Sequence, residues 1–129
     1  AVYLLQYHLV VVTKYRHKVI NNELKDRLIE ISYSIIENDW KSNIISINTD
    51  EDHIHILFET SPQTQLSKLI NNYKTVTSRL IRKEFSKQLE PYYLKPYFWS
   101  DTYFISSVSD TSEAMIKTYI DKQGNRKAD

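Results

Sequence analysis

The spacing of apolar residues changes several times along the chain, and each change marks an element. In residues 3–13 (YLLQYHLVVVT), Tyr3, Leu5, Tyr7, Leu9 and Val11 fall on alternate positions. That predicts a strand with one unbroken apolar face, and with Gln6 and His8 on the other. From 21 to 38 the period lengthens, and Leu24, Leu28, Ile31 and Ile35 stand at helical spacing. Residues 42–49 (SNIISINT) and 53–59 (HIHILFE) are two short strands, joined as a hairpin by the acidic turn Asp50-Glu51-Asp52. A second helix follows Ser61-Pro62, with Leu66, Leu69, Tyr73, Val76 and Leu80 as its buried stripe. Pro91 and Pro96 bracket a loop, and residues 97–108 (YFWSDTYFISSV) read as an irregular strand. A last helix runs from Thr111 to Gln123. Asp110 and Glu113 have capping-box spacing at its start, and Gly124 is a natural stop.

The order is β-α-β-β-α-β-α. Two βαβ-type halves sharing one antiparallel sheet predict an α+β fold of the ferredoxin-like or RRM-like kind. The first two helices cover one sheet face, and the third helix or a partner is left for the other. With 129 residues, no internal repeat and no linker, residues 1–129 are expected to form one domain. Such an architecture hosts many activities, so function has to come from the site.

Composition removes several classes. There is no cysteine, hence no disulfide and no thiolate zinc site, which suits a reducing compartment. One glycine cannot build a P-loop or a dinucleotide fingerprint. No run of 18 apolar residues suggests a membrane span, and no signal-peptide pattern opens the chain. The net charge of +1 conceals a division. Residues 21–59 hold three Lys or Arg against nine Asp or Glu, whereas residues 64–96 hold seven against two. This fits a polyanionic partner on one side, and equally two solvated helix faces.

The stretch EDHIHILF at 51–58 carries the first candidate chemistry. Alternation puts His53 and His55 on one face of the strand, their backbones roughly 6–7 Å apart, within reach of one ion. Neutral imidazole is a common transition-metal ligand. Two half-exposed histidines on an open sheet face are the plain alternative. His8, on the polar face of a neighbouring strand, is expected as a surface or hydrogen-bonded histidine. In TYIDKQG at 118–124, Tyr119 and Gln123 are four apart and share a helix face. A phenol and a carboxamide there suggest a nucleophile and an oxygen ligand, although a helical tyrosine is more often a packing residue.

Together these stretches resemble the single-tyrosine HUH transposases, small insertion-sequence transposases that act on single-stranded DNA. YHLVVVTKYRHKVI at 7–20 is similar to that family's opening strand and turn. DHIHIL at 52–57 matches its His-hydrophobic-His motif, and KTVTSRLIRKEF at 74–85 its basic second helix. FWSDTYFISSVS at 98–109 looks like its Trp-containing strand, and YIDKQ at 119–123 matches its tyrosine-helix motif.

The resemblance implies an enzyme. Tyr119 would be the nucleophile on a DNA phosphodiester, leaving a 5′-phosphotyrosine link and a 3′-hydroxyl. His53, His55 and Gln123 would hold a divalent metal ion, Mg²⁺ or Mn²⁺. The substrates would be hairpins at element ends with single-stranded flanks, met on DNA in a prokaryotic cytoplasm. The chain would pair as a homodimer, with the tyrosine helix able to serve the partner's histidines. Lys68, Lys74, Arg79, Arg82 and Lys83 would contact phosphates, and Tyr92 and Tyr93 are open to base stacking or packing; Phe98 and Trp99 read as packing. The family often has glycine before the tyrosine helix, where this chain has Ser107-Val108-Ser109-Asp110. A domesticated relative that processes chromosomal hairpins would share every catalytic residue. A non-catalytic RRM-like module that binds single strands by stacking is the competing reading from outside enzymology.

Overall fold

The structure, a computed structural model, describes residues 4–123. Four antiparallel strands, β1 (Leu5–Val12), β2 (Asn43–Asp50), β3 (His53–Thr60) and β4 (Phe104–Ser107), lie in the order β2-β3-β1-β4. Four helices accompany them: α1 (Asn22–Tyr33), α2 (Leu66–Glu84), the single turn α3 (Ser86–Leu89) and α4 (Glu113–Gln123). This is the expected ferredoxin-like α+β arrangement. Tyr3 of the first strand's apolar face and the helix stop at Gly124 lie outside the described residues. Among the described residues no helix is long and apolar enough to cross a membrane.

The alternation in β3 sorts the sheet's two faces. Ile54, Ile56 and Phe58 are fully buried beside Leu9 and Val11 of β1, beneath α1 and α2. Leu24, Leu28, Ile31 and Ile35 meet them from the first helical segment, as their spacing predicts. Tyr73 is buried whole, and its hydroxyl shares a 2.7 Å hydrogen bond with Ser32. His53 and His55 point to the opposite face. Val10 and Val12 share that face and are equally buried, because α4 packs against β1 there.

Four details differ from the periodicity. The buried stripe of α2 is centred on Leu69, Ile70, Tyr73, Thr77 and Ile81, leaving Leu66, Val76 and Leu80 at its margin. Thr77 is tolerated inside because its hydroxyl bonds Tyr73 O at 2.6 Å and accepts from Trp99 Nε1 at 2.9 Å. The first helix passes at Ser34–Asp39 into a wider π-type turn. The segment 97–108 is regular only over Phe104–Ser107, preceded by an isolated bridge between Thr13 and Trp99. Lys74 Nζ takes the carbonyls of Ser100 (2.8 Å) and Thr102 (3.4 Å) out of any ladder. Finally, α4 is capped by Ser112, whose hydroxyl accepts from Met115 N at 3.2 Å, while Asp110 accepts from Ser107 Oγ at 2.8 Å.

Candidate active site

The strand β3 and the helix α4 meet across a cavity of about 570 Å³. Its walls bring together His53 and His55, the hairpin turn Asp50–Asp52, Arg16 and Lys18 from the turn after β1, and Ile116, Lys117 and Ile120 of α4. Asp52 is buried, yet both of its oxygens are satisfied. Oδ1 lies 2.8 Å from His53 Nδ1, and Oδ2 accepts from Arg16 Nε at 3.0 Å. Burial pushes the Asp52 carboxyl up, but the hydrogen bonds from His53 and Arg16 outweigh it and hold the group below the usual carboxylate range. An ionised Asp52 accepting from His53 Nδ1–H fixes that imidazole's tautomer and leaves its Nε2 lone pair for a ligand.

His55 is held differently. Its Nε2 lies 2.7 Å from Nδ1 of His8, so the sheet face carries two imidazoles in direct contact. Burial, and then the neighbouring His8 and His53, push the His55 pKa below its ordinary value and favour the neutral ring a metal requires. Ligand atoms of Asp50, Asp52 and His53 also lie within 4.8 Å of one another. The His53 nitrogen and these two neighbouring carboxylates suit a divalent cation, and His55 is not part of that close group.

Tyr119 and Gln123 do share one face of α4, as their spacing predicts, and the residue they meet is Thr102. The Thr102 hydroxyl lies 3.0 Å from Tyr119 Oη and donates to Gln123 Oε1 at 3.0 Å. A hydroxyl has one proton, so with Thr102 donating to Gln123 the Tyr119 hydroxyl is the donor in its bond to Thr102. Gln123 is 3% exposed. Its ring 5.7 Å from that of Phe104, Tyr119 lines a shallow hollow with Met115 and Thr118. Neither Tyr119 nor Gln123 is among the residues lining the histidine cavity.

The residues read as DNA contacts are scattered in their roles. Lys68, Arg79 and Lys83 are exposed along α2. Arg82 is half-buried, its Nε bonded to Ser78 Oγ at 3.1 Å. The Lys74 ammonium is turned onto the Ser100 and Thr102 carbonyls, so it supports the segment that carries Thr102. Tyr93 is buried, with its hydroxyl donating to Lys14 O at 2.8 Å, whereas Tyr92 is exposed. Phe98 and Trp99 are buried, the packing expected of them.

Arg16 and Thr102 have contacts at the candidate residues that spacing did not expose, whereas His8 makes the hydrogen bond expected of it. Arg16 belongs to a turn whose backbone is itself unusual: Tyr15 and Arg16 have φ of 59° and 54°. Neither is glycine, and such a conformation costs on the order of 1 kcal/mol per residue. The turn is held by Thr13 Oγ1 donating to His17 O (2.7 Å), by Arg16 N donating to Thr13 O (2.9 Å) and by the Arg16–Asp52 pair.

The model of the family described as "Transposase IS200 like" matches residues 1–123. The ISDra2 transposase TnpA of Deinococcus radiodurans is 30% identical over 125 residues, 97% of this chain and 88% of that protein. The transposase for insertion sequence element IS200 of Salmonella typhimurium is 29% identical over 119 residues, 92% of this chain and 76% of its own length. Among solved structures, a putative transposase from Deinococcus radiodurans superposes with a TM-score of 0.86 at 28% identity, covering 95% of this chain and 93% of that one. A REP-associated tyrosine transposase bound to a REP hairpin shares the fold, with a TM-score of 0.52 at 13% identity over 91% of this chain and 62% of its own.

Proposed function

This chain belongs to the IS200-like transposase family, and from that premise we propose that it cleaves and rejoins single-stranded DNA at hairpin-marked element ends through a phosphotyrosine intermediate. One observation carries the reading: the histidine pair and the tyrosine-bearing helix meet at one cavity, with cationic Arg16 and Lys18 at its wall. A hairpin-bound protein of the same fold supports the choice of substrate.

Tyr119 is the nucleophile. Its phenol oxygen attacks the scissile phosphorus, and the bond to the upstream 3′ oxygen breaks. The downstream fragment is left esterified through its 5′ phosphate to Tyr119, and the upstream fragment takes a proton as a free 3′-hydroxyl. The reverse attack by another 3′-hydroxyl rejoins the strand and returns the tyrosine, so no nucleotide is consumed. Asp52, itself anchored by Arg16, holds the His53 ring in position. His53 and His55, completed by an oxygen donor such as Gln123, are the residues that would hold Mg²⁺ or Mn²⁺, whose chemistry when bound is to polarise the phosphate and offset its charge.

Tyr119 and Gln123 turn toward Thr102 instead of the cavity, so α4 must either swing or serve a second subunit. We read the working enzyme as a homodimer in which the α4 of one protomer completes the histidine cavity of the other. Strand cleavage of hairpin-flanked single-stranded DNA, assayed with Mn²⁺ and with chelator, tests the proposal. Cleavage should require metal and vanish in Tyr119→Phe and in His53→Ala. Cleavage that survives Tyr119→Phe would refute it. Binding without cleavage, unchanged by chelator, would favour a stacking module.

A further inference from the structure

Resting on the single-strand reading above, we propose that an aromatic cleft beside the histidine cavity seats one unpaired base of the strand whose backbone enters that cavity. The cleft, of about 290 Å³, is walled by Tyr15 and His17 of the turn after β1 and by Tyr92, Lys95 and Tyr97 of the loop after α3. Tyr15 is 46% exposed and Tyr92 is 44% exposed, a large aromatic surface for two residues in one small hollow. The rings are already arranged: His17 lies 5.4 Å from Tyr92, and Tyr15 meets Tyr97 edge-on at 6.1 Å.

The turn itself ties the cleft to the candidate active site. Tyr15 and His17 line the cleft, while Arg16 and Lys18 line the histidine cavity. Consecutive side chains thus alternate between an aromatic cleft and the histidine cavity, where Arg16 and Lys18 stand among carboxylates that include Asp50, Asp52 and Asp121. A single strand has the matching division, with bases on one side and phosphates on the other. Its phosphates would pass Arg16 and Lys18 as a base enters among Tyr15, His17 and Tyr92. The backbone at Tyr15 and Arg16, between the cleft and the cavity, is left-handed. Strain of that kind persists where the surroundings enforce it, and it clusters at ligand clamps. Stacking on aromatic faces accepts any base, so the seat would fix the strand's path and leave sequence choice to other contacts.

The test uses the full chain as Tyr119→Phe, so that binding is read without cleavage, and a fluorescent oligothymidylate strand as the probe. Tyr15→Ala and Tyr92→Ala, both at exposed positions, should each weaken binding roughly tenfold, with Tyr→Phe at either position close to the parent. A strand carrying 5-iodouracil should photo-cross-link to the peptides holding Tyr15, Tyr92 or Tyr97. If the parent binds but both alanine variants match it and cross-links fall elsewhere, the seat is refuted while the transposase reading stands. If the alanine variants alter only self-association in sedimentation, the cleft receives a second copy and the proposal also fails. Absence of binding by the parent, to oligothymidylate and to hairpin-flanked strands alike, would refute both.

Discussion

At the scale of single residues, the candidate site is a set of hydrogen bonds with a direction. Asp52 accepts from His53 and Arg16, and so presents His53 Nε2 outward. Asp52→Asn removes the charge that orients the ring, and it is expected to weaken Mn²⁺ binding on the order of 10- to 100-fold in a calorimetric titration. Unchanged affinity would mean that His53 is not oriented through Asp52. Thr102 is the hinge of a second set, donating to the buried Gln123 and accepting from Tyr119. Thr102→Val keeps the shape and leaves the Gln123 oxygen without its donor, so urea denaturation should show a loss of about 1–3 kcal/mol, with Thr102→Ser close to the parent. The histidine pair and the tyrosine–glutamine pair could be picked out in the sequence because each lies within one element, at a spacing of two or four. His8 was legible as a hydrogen-bonded histidine of the neighbouring strand, and its partner is His55. Thr102 and Arg16 were not legible as partners, because each reaches its contact across the fold from a different segment.

At the scale of elements, alternation in β3 and helical spacing at Leu24, Leu28, Ile31 and Ile35 were enough to predict which faces are buried. The misread elements are those governed by side chains bonding to the backbone. Lys74 draws two carbonyls out of the 97–108 segment, and Ser112 displaces Asp110 as the helix cap. Periodicity is blind to both. The scarcity of glycine has a similar hidden effect. Lys41 ends the π-type turn at φ 52°, where Ser42 N donates back to Ile36 O at 3.0 Å, a position glycine ordinarily takes. Lys41 is exposed, so Lys41→Gly should relieve a left-handed penalty of about 1–2 kcal/mol against roughly half that in chain entropy. The expected net stabilisation is about 0.5–1 kcal/mol by denaturant titration; a loss of stability would show that the lysine side chain itself contributes. The turn before α4, by contrast, has no left-handed residue and is pinned by Ser107, Asp110 and Thr111, with Thr111 Oγ1 donating to Ser107 O at 2.6 Å. No glycine is needed there, and the pinning opposes a free swing of the helix.

At the scale of the whole molecule, α4 lines its own histidine cavity while its Tyr119 and Gln123 face Thr102, so the tyrosine has to be brought to a histidine pair, its own or a partner's. Mixing Tyr119→Phe protein with His55→Ala protein separates the arrangements. If sites are shared between protomers, the mixed dimer has one live site and cleaves although neither parent does. If each protomer works alone, the mixture stays inactive. The division of charge belongs to this scale too, and part of it is internal. Arg27 of α1 forks onto Glu84 of α2 at 2.8 and 3.1 Å and also meets Glu30, which ties the acidic half of the chain to the basic one. The proposed chemistry rests on Tyr119. The most direct measurement is a denaturing gel of hairpin-flanked single-stranded DNA labelled at either end, followed by peptide mass spectrometry of any protein-linked band. The expected result is a covalent species that carries only the 3′-end label, requires metal, disappears in Tyr119→Phe and maps to the peptide containing Tyr119. Metal-dependent cleavage with no protein-linked DNA, or a link at any other residue, would contradict it.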